Sequence, residues 1–102
     1  PPRNTTVIRG RSPFTGLEVV NVSPAVAEEL GLPASVAGVA VSSIKGALAR
    51  RFGFKKGDVI VELNERKPGS VADLRTILNR RDGYWDVAIL RKGKLIRREF
   101  GG

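Results

Sequence analysis

Covalent chemistry is narrowed first by which side chains the chain lacks. Its 102 residues include no histidine and no cysteine. Without histidine there is no usual proton carrier near neutral pH, no base for a serine–histidine triad and no supply of the commonest zinc ligand. Without cysteine there is no thiol nucleophile, disulfide or thiolate metal site. The serines have no visible base and none lies in a Gly-x-Ser-x-Gly frame, and no phosphate loop ends in Gly-Lys-Ser or Gly-Lys-Thr. The carboxylates are dispersed, which argues against a paired acid and base or a calcium loop. The expectation is a segment with no catalytic residues, no metal and no cofactor.

Non-covalent chemistry is better supplied. A net charge of +8 and a pI near 10.9 attract polyanions. The basic residues are Arg50-Arg51, Lys55-Lys56, Arg80-Arg81, Arg91-Lys92-Gly93-Lys94 and Arg97-Arg98. They fall on several elements, Tyr84 and Trp85 are the only large stacking residues besides phenylalanine, and no nucleic-acid motif occurs. The charge reads as scattered over the surface, with a basic nucleic-acid-binding domain as the rival reading. The terminal Gly101-Gly102 reads as a short tail rather than a conjugation signal.

The elements that must position these groups follow from periodicity. With 41% apolar residues the chain can bury one modest core, and no run approaches the roughly 18 apolar residues that span a bilayer. Residues 1–11 are polar and turn-rich, with Val7-Ile8 as the only apolar pair, and read as a lead-in. Residues 12–100 read as one domain. Alternation makes 17–22 a strand, with Leu17, Val19 and Asn21 on one face and Glu18, Val20 and Val22 on the other. Ser23-Pro24 supplies an N-cap and a first-turn proline for a short helix that Gly31 stops. Residues 38–44 follow as a strand, 47–52 as a helix and 59–64 as the most strand-like run, with Phe52 and Phe54 capping the core. A tight reversal spans 64–67. Ser70 and Asp73 open a helix expected to run to about Arg80, with Val71, Leu74, Ile77 and Leu78 on one face. Residues 84–90 and 94–100 form a hairpin around Gly93. The helices are too short for crossover connections, so the fold is expected to be mixed α+β: a partly open barrel or sandwich of five or six strands capped by two or three helices.

One stretch carries a resemblance. Gly46-Ala47-Leu48-Ala49-Arg50-Arg51-Phe52-Gly53-Phe54-Lys55-Lys56-Gly57-Asp58-Val59-Ile60-Val61-Glu62-Leu63-Asn64, followed by Ser70-Val71-Ala72-Asp73-Leu74, is similar to the small-residue helix, Gly-Asp turn, strand, reversal and groove helix of bacterial PDZ domains. The resemblance covers roughly Ser12 to Phe100. It implies the circularly permuted arrangement, in which the strand that opens an animal PDZ domain comes last. The segment from Ser23 to Leu32 looks most like the second, C-terminal PDZ domain of an HtrA/Do-family, DegP-like serine protease.

The resemblance implies a function and a site. PDZ domains bind peptides by adding an extended segment to an open sheet edge beside a helix. The implied edge is 17–22 and the implied wall is 70–80. Phe14, Thr15, Gly16 and Leu17 match the carboxylate-binding loop, in which Gly16 would let amides converge on a terminal carboxylate and Leu17 would line the last side-chain pocket. Of that loop's two glycines only the second is present, and Thr15 replaces an apolar residue. Glu18 and Val19 continue the edge, Val71, Leu74 and Leu78 form the apolar wall, and Arg75 reaches over the groove. Arg11 is an auxiliary contact for the carboxylate. The implied partners are hydrophobic C-terminal or unfolded segments, the upstream protease and PDZ domains, and further copies of the parent chain. The implied compartment is the periplasm or cell envelope, with the protease chemistry upstream of Pro1. An assembly or docking domain of the protease is the alternative within the family.

Overall fold

Alternation and capping place nearly every element where the sequence predicts it. The computed structural model describes residues 5–10, 12–33, 36, 38–80 and 84–101. Along the chain these form β1 (Thr6–Val7), β2 (Leu17–Asn21), α1 (Pro24–Glu29), β3 (Val39–Ile44), α2 (Ala47–Arg51), β4 (Val59–Leu63), α3 (Val71–Leu78), β5 (Tyr84–Arg91) and β6 (Lys94–Gly101). The Ser23 hydroxyl accepts from the Val26 amide at 3.2 Å and Ser70 from the Asp73 amide at 3.1 Å, so both helices begin on side-chain caps. Arg81 and Gly83, expected near the end of α3, lie outside the described residues, as does Gly102.

The strands form one open, six-stranded sheet in the order β1-β2-β3-β4-β5-β6, with every pairing antiparallel. Two tight turns serve it. Asn64 and Glu65 take positive φ (50° and 67°), and Leu63 and Arg66 exchange both backbone hydrogen bonds across them. Lys92 and Gly93, at φ 51° and 79°, join β5 to β6 in the same way. Turns of this hand match strand twist, which is why Asn and Gly stand at these positions.

Both faces of the sheet bury apolar residues. Leu17, Val19, Val39, Val41, Ile60, Leu63, Val87 and Ile89 join Phe14, Phe54, Leu74, Ile77 and Trp85 in the main core. Val20, Ala40 and Val59 point the other way and pack with Val26 of α1. The bulge between Glu18 and Val19 shifts the pairing of β2 with β3 midway along the strand. Phe14 is fully buried, with ring centroids 5.2 Å from Phe54 and 5.9 Å from Trp85.

The Lys55–Asp58 turn is fixed by an ion pair whose basic partner the sequence reading assigns to the surface. Arg91 is only 19% exposed; its Nε and Nη2 donate to the Asp58 carboxylate at 2.8 and 2.7 Å, and Nη2 also donates to the Gly53 carbonyl. Asp58 accepts the Lys55 amide as well. Its hydrogen bonds with Arg91 push the guanidinium pKa up, so Arg91 stays protonated.

β1 has no counterpart in the sequence reading. Residues 6 and 7, inside the expected lead-in, pair with β2.

Candidate functional site

The β2 strand is where the resemblance implies an open edge. One side of β2 pairs with β3. On the other side Thr6 lies opposite Val19 and Val7 opposite Glu18. The Ile8 amide donates to the Leu17 carbonyl at 2.8 Å, and the Gly16 amide donates to the Ile8 carbonyl at 2.8 Å. The edge is therefore occupied by the chain's own residues 6–8. Ile8 is 3% exposed and belongs to the same core cluster as Phe14, Leu17, Val19, Val71 and Leu74.

The loop from Ser12 to Leu17 spends its amides locally. Thr15 donates to the Ser12 carbonyl, Leu17 to the Phe14 carbonyl and Phe14 to the Ser12 hydroxyl. The Thr15 hydroxyl donates to the Gly10 carbonyl at 2.8 Å and accepts from the Ser12 amide, stitching the loop to the strand that enters it. Among the amides of residues 14–17, Gly16's is the one that crosses to β1. Gly16 holds φ +94°, and a Cβ there would lie 2.5 Å from the Gly46 Cα, so backbone meets backbone with no side chain able to yield. The Lys45 and Gly46 amides both donate to the Gly16 carbonyl, which locks the loop against the start of α2.

The opposite wall is α3. Val71 and Leu74 are buried, Leu78 is half-buried and Arg75 is exposed. The start of α3 is tied to the end of β2 by Asn21, whose Oδ1 accepts the Val71 amide at 2.6 Å. This bond sets how far the helix stands from the strand at one end of the site. Toward the other end the two walls part: a cavity of about 420 Å³ lies between β1 and α3, lined by Thr5, Thr6, Val7, Ile8, Arg9, Arg75, Leu78 and Asn79.

Of the expected residues, Arg75 and Leu78 line this cavity, Leu17, Val19, Val71 and Leu74 are buried in the core cluster that holds Ile8, and Gly16 meets Ile8 through its backbone. The structure assigns other work to the remaining expected residues. Phe14 is the aromatic floor behind the loop, Thr15 is a loop staple, and Glu18 accepts the Ser42 hydroxyl and faces Lys45 at 4.0 Å. Arg11 lies outside the described residues. Two participants escape the sequence reading, Ile8 and Asn21. The run Thr5-Thr6-Val7-Ile8 is wholly β-branched, a strand signal too short to stand alone beside its polar neighbours. Among the described residues no group of His, Cys, Asp and Glu could hold a metal, and no helix is long and apolar enough to cross a membrane. In this arrangement the β2 edge, the Gly16 amide and the apolar core beside them hold the chain's own extended residues 6–8, with the Ile8 side chain buried.

No family model matches the chain. Among curated proteins it is similar to probable periplasmic serine endoproteases described as DegP-like. The protein of Chlamydia trachomatis is 28% identical over 83 residues, and that of Chlamydia muridarum 29% identical over 83 residues. Each match covers 80% of this chain and 17% of the relative, so the chain spans about a sixth of those proteins. Among solved structures it is similar to the HtrA-type protease AlgW with a decapeptide, at 28% identity and a TM-score of 0.70, over 82% of this chain and 26% of that one. A variant of that protease with a tripeptide matches at 27% identity and a TM-score of 0.56, over 82% of this chain and 29% of that one. The similarity is to part of HtrA-type proteases.

Proposed function

We propose that the chain is a non-catalytic PDZ module, the second of a Do-type serine protease, which binds hydrophobic C-terminal or unfolded segments by strand addition between β2 and α3. In this reading the fold is circularly permuted, and β6 supplies the strand that opens an animal PDZ domain. The parent protease lies in the periplasm or cell envelope, with its catalytic domain upstream. Peptides held by the similar AlgW structures and the periplasmic description of the DegP-like relatives support these assignments.

One observation carries the reading: the β2 edge already holds an extended segment, with Ile8 bonded to Leu17 and Gly16 through its backbone and its side chain in the core. Main-chain hydrogen bonds of this kind supply affinity that does not depend on sequence, and the pocket beneath Ile8 supplies selection for an aliphatic side chain. A peptide's terminal carboxylate would take the Gly16 amide in place of the Ile8 carbonyl.

The test is an NMR titration with short hydrophobic peptides, free acid against C-terminal amide. Shifts should cluster on residues 14–22 and 71–78, and amidation should weaken binding. If neither peptide perturbs these segments, the module docks or assembles its parent instead. The basic surface is a separate matter: steep salt-dependent binding of DNA or RNA would favour the nucleic-acid reading.

A further inference from the structure

We infer that residues 5–9 are an intramolecular ligand that closes the groove and must leave β2 before a segment from another chain can bind. The inference rests on the strand-addition reading and adds a regulatory element to it.

The geometry makes occupancy exclusive. A strand has two hydrogen-bonding edges, and one edge of β2 is committed to β3. The other is filled by β1 in the register that puts Ile8 against Leu17 and Gly16, at the loop end of the groove. A second segment cannot use the Leu17 carbonyl and the Gly16 amide while Ile8 holds both. The side-chain pocket is filled as well, since Ile8 is 3% exposed.

The hold is also one-sided. β1 spans only Thr6–Val7, both half-buried, and these two residues line the cavity of about 420 Å³ together with Arg75, Leu78 and Asn79, so that Ile8 is the segment's one buried anchor. Thr5 and Arg9 on either side of it are exposed, and Gly10 follows with φ +102° and open space around its α-carbon. A short strand with few buried contacts, held at one edge and followed by a glycine, belongs to the low end of local stability. If β1 left, its volume would merge with the cavity into one continuous channel along α3, wide enough for a peptide strand.

Two quantities set the consequence. Withdrawing one large aliphatic side chain from a core shifts an equilibrium by roughly 10- to 100-fold. By the conformational-selection relation, the apparent affinity for a peptide falls by the fraction of molecules with β1 released. Removing the Ile8 anchor is therefore expected to tighten peptide binding by about 10- to 100-fold.

The experiment uses the full chain and a synthetic free-acid peptide of its own sequence, Arg-Asn-Thr-Thr-Val-Ile, followed by fluorescence anisotropy. Because the chain contains no cysteine, Val7→Cys with Glu18→Cys introduces a single possible disulfide across a directly opposed pair of β1 and β2. The oxidised variant should lose binding at least 10-fold, and dithiothreitol should restore it. Ile8→Ser should bind about 10- to 100-fold more tightly than the unmodified chain. Oxidised protein that binds as well as reduced protein overturns the closure while leaving the groove reading intact. Absence of binding to every form, with Ile8→Ser folded by circular dichroism, overturns the groove reading and the closure with it. Should Ile8→Ser not fold, the redox pair alone decides, and a reduced variant that fails to bind counts against both.

Discussion

The two edges of the sheet solve the same problem by different means. Uncovered, each would expose backbone groups that could template pairing with another chain. At the β6 edge the strand is eight residues long and carries Lys94, Arg97 and Arg98, all exposed, with Leu95 58% exposed among them. At the β2 edge Leu17, Val19 and Val20 are buried, and the chain covers the edge with its own β1. Charge protects the first edge without closing it. Pairing closes the second, and pairing is reversible. An edge meant never to pair can be protected by permanent charge, whereas one that binds must keep its apolar pocket and needs a cover that can be removed.

That contrast can be broken at several points. The largest loss is expected from Asp58→Ala, which leaves Arg91 largely buried without its partner. It should cost roughly 3–5 kcal/mol in urea unfolding, loosening the α2–β4 turn against β5 on the β6 side. The β2 side fails through Gly16→Ala, whose Cβ meets the Gly46 backbone at a positive φ. About 3 kcal/mol should be lost and protection of the Ile8 amide from hydrogen exchange should fall, because the loop amide can no longer hold its place. Asn21→Ala, which frees the Val71 amide from β2, should cost about 1 kcal/mol and widen the groove, read as a change in peptide affinity larger than the change in stability. The smallest effect on stability belongs to Lys94→Val with Arg97→Val, within about 1 kcal/mol for two surface changes. That variant should instead associate with increasing concentration in sedimentation velocity, since the β6 edge has lost two of its three positive charges. Unchanged sedimentation would mean that charge is not what protects this edge.

Legibility in the sequence followed the range of the interactions. The caps at Ser23 and Ser70 and the Lys92-Gly93 turn are decided within four residues, and the strands by alternation over five to eight; these appear where expected. The resemblance gives Phe14 only a place in the carboxylate-binding loop; its contacts with Phe54 and Trp85, distant in sequence, carry no local signal. Arg91 was grouped with the surface basic residues, and its partner Asp58 lies 33 positions away. Asn21 continues an alternating strand pattern, yet its amide oxygen caps a helix 50 residues downstream. None of these pairings leaves a local signal, because a polar side chain's partner is chosen by the fold and not by its neighbours in sequence.

The residues alone narrow the chemistry, since histidine, cysteine and a framed nucleophile are absent, and the alternation and caps suffice for a mixed α+β fold of five or six strands with two or three helices. Whether the recognising edge stands open could not be read from them. Thr6, Val7 and Ile8 form too short a run for any pattern to register, and their place depends on a bulged strand, a glycine pair in backbone contact and a core shared by β2 and α3. Strand pairing is a long-range bond between backbones, identical for every residue type, so only the assembled sheet decides that the groove's first occupant is the chain itself.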